Sequence, residues 1–573
     1  MPVVLLLAQS TPETSTGTSP SSTPSAEEEI VKLSPFIVNA SNTGYYASNT
    51  LSGTRLNSDI ADLGASVSII TKQQMRDFAL LDINDIFNYQ VSTEGTGNYT
   101  NATVNAQGIP TDAASLNPQS ANRIRGLGAA TIFLGGFETS GRVPIDPLNI
   151  DALEVNRGPN SSVFGIGGVA GSVNAVPSSA NLSRNKAQVT ARYDSVDGYR
   201  TTLDVNQILK QDVLAIRASM AVQHDGFERR PSGVDSKRIN GMISYHPFKS
   251  TLITASYTHY NAYGNRPNSL TPYDYITPWI KNGRPTWDPT TGQRKVGGVV
   301  VGTGAGTLFQ TSGETWGAGP MPIMSTDPYG SPSLAVPYYT SSNTPNQNVA
   351  GVTFTTASSS VTMLNSLMVP ITDQTYVNQS LIGTIYERGV SSKAIYDYSS
   401  INTASPNYFN EADDLSTVLL EQNVFKTQRQ SLDFQLGWFG EHNDKLAHSV
   451  VGAPGANGAT NALLTIDVNE KNLNGTPNPN FLRPYLFAWV GSPWVSSPAF
   501  LNTYRAQIAY QLNLRQARGF ARWLGLQRLS GYYEYKKMRS ETIQYVPRIT
   551  SGPASWMPTG VALGYDGDRK SVV

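Results

Sequence analysis

The chain has 573 residues, 42 Lys and Arg against 42 Asp and Glu, and a charged fraction of only 15%, against roughly 25% in ordinary soluble proteins. Such a neutral chain is not expected to bind nucleic acid. It has no cysteine and five scattered histidines, so we expect no disulfide, metal site or cofactor. No apolar run approaches the roughly 20 residues of a membrane helix, so a membrane-spanning form has to be a β-barrel.

The N-terminal residues 1–29 combine a short apolar start with a Ser, Thr and Pro run. Residues 3–8 resemble the end of a secretory signal peptide, and a frayed start with no targeting role is the alternative. Residues 10–25 cannot bury apolar area and predict a disordered spacer. The isolated apolar segment 30–39 is either the first strand of a domain or a tethered strand that a partner binds by strand addition.

Residues 44–182 predict a small α+β domain of common size. Thr71 and Gln74 have the spacing of a helix capping box, and Asp82 is placed to cap a second short helix. The polar stretch 91–118 predicts a loop. Strands are expected over 66–70, 122–126 and 131–134.

A glycine-dense element at 153–176 ends this domain. Two short alternating strands flank Gly165, Gly167, Gly168 and Gly171, which predicts a tightly packed turn. The spacing Gly165, Gly167 and Ala170 also fits a dinucleotide-binding fingerprint, but that motif requires a helix after it. A strand pattern follows instead, which argues against a nucleotide-binding enzyme.

From residue 187 onward, polar and apolar residues alternate in about nine strands of roughly 9–11 residues, the length that crosses a bilayer when tilted. Strands of a soluble sandwich are usually nearer five or six residues. Long polar connections at 261–415 and 441–500 alternate with short turns. One rim would therefore carry the long loops and the other the turns, as in an outer-membrane barrel.

Two groups of residues give a family resemblance. The first is Arg123, Arg125, Gly126, Glu154, Arg157, Gly158, Pro159, Phe164, Gly165, Gly171 and Asn174, whose spacing resembles the signature segments of the plug domain in TonB-dependent outer-membrane receptors. The second is Val31, Lys32, Leu33, Ser34, Pro35, Phe36, Ile37 and Val38, which resemble the TonB box of that family.

The resemblance implies an α+β plug, residues 44–182, followed by a transmembrane antiparallel β-barrel over 187–573. It implies a bacterial outer-membrane protein, in contact with lipid, that takes up a scarce small molecule with energy from TonB, an inner-membrane partner. An iron siderophore and an oligosaccharide stay equally open as ligands, with cobalamin behind them. About nine strands cannot close the 22-stranded barrel of such receptors, so an incomplete barrel, from a truncated chain or an interrupted gene, is expected.

The resemblance also assigns roles to charged plug residues. Glu154, Arg157, Arg123 and Arg125 are expected to make charge-paired contacts, either within the plug or with the barrel wall. The alternative is that these charges only stabilise the plug fold.

Two other functional classes share some of these sequence features. A hydrolase would need a pair of catalytic carboxylates, and the sequence shows no such pair. Asp146, Asp413 and Asp414 fit solvated loop charges instead, so no catalytic residue is expected. A secreted β-rich adhesin would share the polar loops and alternating strands, but it would not need the plug-like segment or the box. Trp279, Trp287 and Trp316 in the long loops could stack on a ligand or anchor the barrel at the membrane surface.

Overall fold

The computed structural model describes residues 3–4, 44–50, 52, 57–64, 66–97, 100–104, 110–114, 117–158, 168–267, 271–303, 321–324, 334–338, 347–349, 352–354, 389–448, 463–471, 476–487, 494–515 and 519–545. Residues 30–39, with the box-like segment, lie outside these ranges, as do Pro159, Phe164, Gly165 and Trp316.

The plug is built on a five-stranded mixed sheet. Its strands are β1 Val67–Thr71, β2 Thr131–Leu134, β3 Phe137–Glu138, β4 Ile150–Arg157 and β5 Gly171–Pro177. The order across the sheet is β3, β2, β5, β4, β1. Strand β4 pairs antiparallel with both β5 and β1, and β5 pairs parallel with β2. The central strands β4 and β5 are therefore covered on both edges.

Two short helices, α1 Lys72–Asp77 and α2 Ile83–Phe87, pack on this sheet. Thr71 Oγ1 accepts a hydrogen bond from the backbone N–H of Gln74, and the Asp82 carboxylate accepts from two backbone N–H groups of α2, so both helices begin at side-chain caps. Their apolar side chains, with those of the strands, form a core that includes Met75, Ile83, Ile86, Phe87, Leu153, Val155 and Val173.

Two predictions for the plug are wrong. The stretch 91–118 is not a plain loop, because it contains strands at Thr93–Glu94, Thr100–Val104 and Pro110–Ala114. The strand expected over 122–126 is only Arg123–Ile124. It ends where Arg125 and Gly126 take positive φ angles of 54° and 67°, a turn geometry that stops an extended strand.

Nine long antiparallel strands follow, which we call the wall. They are β6 Lys186–Tyr193, β7 Tyr199–Lys210, β8 Leu214–Asp225, β9 Gly233–Phe248, β10 Thr251–Asn265, β11 Tyr408–Lys426, β12 Gln430–His448, β13 Ala499–Asn513 and β14 Leu526–Ser540. Each pairs with the next in chain order. The wall is thus one continuous up-and-down sheet.

The two faces of the wall are inverted relative to a soluble protein. Leu203, Met220 and Ile239, which lie in register on three successive strands, are exposed. Neighbouring positions that point the other way, such as Arg200 and Asn240, are buried against the plug. An apolar outer face with a polar inner face is the pattern of strands that meet lipid on one side.

Eight of the nine wall strands are longer than the 9–11 residues predicted, and β11 and β12 have 19 residues each. Because β10 ends at Asn265 and β11 begins at Tyr408, the loop expected over 261–415 is shorter at both ends. The loop expected over 441–500 starts only after His448, where β12 ends, and ends before β13 begins at Ala499. Asp413 and Asp414 therefore lie in β11 and not in a loop, and Asp413 is fully buried. Inward-facing polar residues near the ends of these strands resemble loop residues in sequence.

Shorter elements complete the described fold. Short strands that have not been named above lie at Val3–Val4, Asn49–Thr50, Ser58–Asp59, Tyr273–Asp274, Thr286–Asp288, Gln293–Val296, Val299–Thr303, Met321–Met324, Leu334–Tyr338, Gln347–Val349, Val352–Phe354, Leu463–Ile466, Pro484–Phe487, Trp494–Ser496 and Ile543–Tyr545. Helical turns occur at Ile60–Asp62, Pro118–Ser120, Ile276–Lys281 (α3) and Gly519–Leu524. Within the described ranges, no helix has the length and apolar character needed to cross a membrane.

Candidate functional site: the contact between plug and wall

Glu154 lies at the centre of the plug sheet and is 1% exposed. Its carboxylate accepts hydrogen bonds from Thr50 Oγ1 at 2.7 Å, Ser52 Oγ at 2.6 Å and Asn174 Nδ2 at 2.8 Å. Asn174 is its direct cross-strand neighbour on β5. The donors reach the carboxylate from two directions, the N-terminal segment and the adjacent strand.

Arg157 does not pair with Glu154, because residues three apart on a strand point to opposite faces. Its guanidinium donates to the backbone oxygen of Val91 and to Ser68 Oγ, both at 2.8 Å. Burial, together with the neighbouring Arg125, lowers the pKa of Arg157. The contacts of both side chains described above are made with neutral groups and lie within the plug.

The remaining described signature residues shape turns in the plug. Gly158 has φ +107°, and its N–H donates to the backbone oxygen of Ala170. Gly171 has φ +147°, and a Cβ there would lie 2.3 Å from the backbone oxygen of Asn156, so only glycine fits this position. Arg123 pairs with Glu94 in a short antiparallel ladder.

The segment 137–149, which consists of β3 and the residues that lead to β4, makes many of the contacts between plug and wall; we call it the contact segment. At its start, the Phe137 ring stacks on Phe439 of β12 with centroids 5.6 Å apart. The guanidinium of Arg505 on β13 lies 3.8 Å from the centroid of Phe137. Both aromatic rings are fully buried, so this end of the segment is fixed by apolar and cation–π contacts.

Asp146 anchors the other half of the contact segment to the wall. Its carboxylate accepts two hydrogen bonds from Arg200 of β7, at 2.8 and 2.9 Å, and lies 3.6 Å from Arg238 Nε of β9. Arg238 also donates to the backbone oxygen of Pro144 at 2.7 Å. Burial by itself would raise the pKa of Asp146, but Arg200 and Arg238 outweigh it and hold that pKa below its usual value.

The expectation that Asp146 is a solvated loop charge is therefore wrong, since the residue is only 4% exposed. Its short loop is closed by its own backbone, because Leu148 N–H donates to the Asp146 carboxylate at 2.8 Å. A signal for this pairing was present in the sequence. Arg200 and Arg238 occupy the inward, polar positions of two wall strands, and a buried guanidinium requires a partner.

Further polar contacts join the middle of the contact segment to β12 and to the residues before β13. Ser140 donates from its backbone N–H and its hydroxyl to the Glu441 carboxylate, at 2.8 and 2.5 Å. Arg142 donates to the backbone oxygen of Ser497 at 2.5 Å. The plug is thus held by hydrogen bonds and ion pairs that can break and re-form, in addition to apolar contacts such as that of Phe137.

A cavity of about 30 Å³ lies between plug and wall, lined in part by Gln119, Asn149, Arg238, Leu415 and Glu441. Small-molecule sites are usually about 300–1,000 Å³. This cavity is therefore too small for a chelate or a sugar. In the parts of the chain that the structure describes, no group of three His, Asp or Glu side chains is arranged to hold a metal ion.

Two long loops fold together beyond the wall, and we call this unit the cap. Tyr273–Asp274 of the first loop pairs in parallel with Leu463–Leu464 of the second, and Trp287 N–H donates to the Val468 oxygen at 2.9 Å. Their shared apolar core comprises Ile276, Trp279, Trp287, Val390, Leu464, Ile466 and Val468. Trp279 and Trp287 are 7% and 2% exposed, so they are core residues of the cap, and neither stacking on a ligand nor anchoring at the membrane surface fits them.

Comparison with known proteins decides the family. Residues 59–172 match the model of the TonB-dependent Receptor Plug Domain. This part of the chain is a plug domain of the TonB-dependent receptor type. The resemblance inferred from its signature residues is confirmed, and the receptor is a protein of the bacterial outer membrane.

Several curated relatives are similar to about a third of this chain. The catecholate siderophore receptor Fiu of Escherichia coli strain K12 is 26% identical over 191 residues, 32% of this chain and 22% of Fiu. The metal-pseudopaline receptor CntO of Pseudomonas aeruginosa is 28% identical over 184 residues, 31% of this chain and 24% of CntO. These matches cover about a quarter of the length of the curated relatives.

A solved structure is similar in fold to nearly the whole of this chain. The ferripyoverdine receptor of the Pseudomonas aeruginosa outer membrane, bound to ferripyoverdine, aligns with a TM-score of 0.51 and 13% identity, over 94% of this chain and 51% of that one. At this identity the likeness concerns the fold alone. The predicted fold class, an α+β plug followed by antiparallel strands of a transmembrane barrel, is confirmed.

Proposed function

We propose that this receptor takes up a metal chelate of the siderophore type across the outer membrane, driven by TonB. The observation that carries the proposal is a plug held against a wall of membrane-type strands by breakable polar contacts of its segment 137–149. These contacts include Asp146 with Arg200 and Ser140 with Glu441. A plug held in this way can be displaced without unfolding the wall.

The energy has to enter through a partner. The segment 30–39 would provide it by strand addition, in which main-chain hydrogen bonds supply the affinity. Residues Val31 to Val38 would bind TonB. In this division of the chain, residues 1–29 form the spacer region, 44–182 the plug and 187–573 the barrel portion embedded in outer-membrane lipid.

The proposed ligand class rests on the relatives. One is a receptor for catecholate siderophores, another for metal-pseudopaline, and the similar structure holds ferripyoverdine. All three names refer to metal chelates or the ligands that form them, so a chelate is favoured over an oligosaccharide. The cap, built from the two longest loops of the receptor, would lie on the rim where the ligand arrives.

A binding experiment tests the coupling segment directly. The full chain in detergent micelles is titrated with the periplasmic domain of TonB, and Leu33→Pro and Phe36→Pro are compared with Ser21→Pro in the spacer. Proline cannot donate the N–H that strand pairing needs, so we expect at least a tenfold loss of affinity for the first two variants only. Equal binding by L33P, F36P and the wild type would contradict the coupling role.

Uptake tests the transport itself. The chain is expressed in a bacterial host that lacks its own iron-chelate receptors, and radioactive iron is supplied as catecholate or hydroxamate chelates. We expect accumulation that depends on at least one chelate and disappears when TonB is removed. Equal accumulation with and without TonB would refute a TonB-driven function.

A further inference from the structure

The buried carboxylate of Glu154 joins two parts of the plug that are far apart in sequence. Thr50 and Ser52 donate to it from the N-terminal segment 44–52, which follows the proposed TonB-binding residues. The two hydroxyl residues are also linked to each other, because Ser52 N–H donates to Thr50 Oγ1 at 3.0 Å. The N-terminal segment is therefore held at the centre of the sheet by hydrogen bonds to a charge.

These bonds are costly to lose. A buried carboxylate that loses its donors bears the full desolvation penalty, because no water replaces them. At 1% exposure, Glu154 cannot reach solvent without a movement of its neighbours. Withdrawal of Thr50 and Ser52 would therefore force a rearrangement around the carboxylate.

Asn174 carries this link to the opposite edge of the sheet. Its Nδ2 donates to Glu154 at 2.8 Å, and its Oδ1 accepts from the backbone N–H of Gly136 at 2.9 Å. The NH₂ group of the Asn174 amide binds Glu154, and its oxygen binds Gly136. The carboxylate therefore fixes the orientation in which the amide oxygen faces Gly136. Gly136 lies in the turn between β2 and β3, at the start of the contact between plug and wall.

This turn fits closely against Arg505 of the wall. Gly135 and Gly136 have φ angles of +57° and +78°, which favour glycine. The oxygen of Gly135 accepts from Arg505 Nη2 at 3.1 Å, and a Cβ on Gly136 would lie 3.0 Å from Arg505 Nη1. A small displacement of the turn would therefore disturb the guanidinium, which also covers the Phe137 ring.

We propose that Glu154 is a positioning residue that couples the docking of segment 44–52 to the seating of the Gly135–Gly136 turn on Arg505. The route runs from Thr50 and Ser52 through Glu154 and Asn174 to the turn. When the segment is drawn away, the carboxylate loses two hydroxyl donors, the Asn174 amide is no longer held, and the turn leaves Arg505. This inference rests on the proposed function, because TonB would supply the pull.

Hydrogen exchange at the Gly136 amide tests the coupling in the purified full chain in detergent micelles. Thr50→Val with Ser52→Ala removes both hydroxyl groups and adds no charge. We expect the Gly136 amide to exchange roughly five- to tenfold faster, because about one hydrogen bond of support is lost through Asn174. The matched control, Thr93→Val with Ser120→Ala, removes two other plug hydroxyl groups and should leave that amide unchanged.

An exchange of partners distinguishes coupling from a general structural role. Glu154→Gln removes the charge and leaves one accepting oxygen in place of two for Thr50, Ser52 and Asn174, so it should speed exchange at Gly136. Adding Asn174→Asp restores the route, because the new amide donates to the new carboxylate, which still accepts from Gly136. We expect the double variant to return within about twofold of the wild type, since the hydrogen bond is re-formed.

Two results would overturn the proposal: an unchanged Gly136 rate in the hydroxyl-free variant, or a double variant that exchanges as fast as E154Q alone. Neither measurement uses TonB or a ligand. A receptor that fails to take up any chelate therefore leaves the exchange result standing. If the receptor transports a chelate but the exchange rate of the Gly136 amide does not change when the Thr50 and Ser52 hydroxyl groups are removed, only the coupling is refuted.

Discussion

Replacing Asp146 by Asn isolates the ion pair that holds the contact segment to the wall. The side chain keeps its shape but loses the charge that pairs with Arg200 at 2.8 Å and faces Arg238 at 3.6 Å. Removing one partner of a buried ion pair costs about 3–5 kcal/mol, because the other charge stays buried. At roughly 1.4 kcal/mol per factor of ten, the lower bound corresponds to an opening of the interface about 100-fold more frequent.

A single thiol can report this opening because the chain has no cysteine. Val143 is 8% exposed and packs in the cluster shared by plug and wall, so Val143→Cys is alkylated only when the segment lifts. We expect Asp146→Asn to raise the alkylation rate of V143C by about 100-fold. A rise of less than threefold would refute the view that this ion pair holds the segment in place.

An exposed ion pair supplies the control. Asp197 and Arg230 also form a salt bridge, but their side chains are 57% and 60% exposed. Surface pairs contribute roughly 0–1 kcal/mol, so Asp197→Asn should change the V143C rate by no more than about threefold. If Asp146→Asn and Asp197→Asn raise the alkylation rate of V143C equally, burial of the ion pair is not what holds the contact segment to the wall.

Two other predictions concern the plug helix and the cap. Burial, then the neighbouring Asp82, raises the pKa of Asp85 to about 7, so its carboxylate destabilises the fold as the pH rises from about 4 to 7. Asp85→Asn should therefore stabilise the plug at pH 8 by about 2 kcal/mol, which is half of what the full pKa shift implies, because the side chain is half-buried. At pH 4 the substitution should have almost no effect on stability. Equal shifts of the urea midpoint at both pH values would contradict this prediction. Trp287→Ala should destabilise the cap by about 3–5 kcal/mol and make both of its loops susceptible to protease. The control Trp523→Ala, at a side chain that is 81% exposed, should leave both loops protected. Cleavage in one loop only would argue against a shared core.

Local signals in the sequence predicted much of the plug. The caps at Thr71 and Asp82 and the two strands around the glycine-rich turn were predicted from residues close together in the chain. The hairpin at 100–104 and 110–114 was missed because its Thr, Asn and Ala residues show no apolar alternation. The extra length of β11 was missed because Asp413 faces the plug, and an inward carboxylate in a strand looks like a loop residue.

The site was harder to predict because its contacts join distant segments. Asp146 and Arg200 are 54 residues apart, and Ser140 and Glu441 are 301 apart, so no spacing rule connects them. Glu154 is among the plug residues predicted from the sequence to make charge-paired contacts, but its partners could not be predicted. Thr50 and Ser52 become candidates only when the N-terminal segment is seen on the sheet.

Reversible tethering of the plug tests the central claim most directly. Asn149 Nδ2 of the plug lies 3.5 Å from Thr258 Oγ1 of the wall, so Cys at both positions can be joined by a short reducible thiol crosslinker in this otherwise cysteine-free chain. We predict that uptake of the chelate stops when the crosslink is formed and returns when it is reduced. Undiminished uptake by a fully crosslinked receptor would contradict transport that requires the plug to leave the wall here.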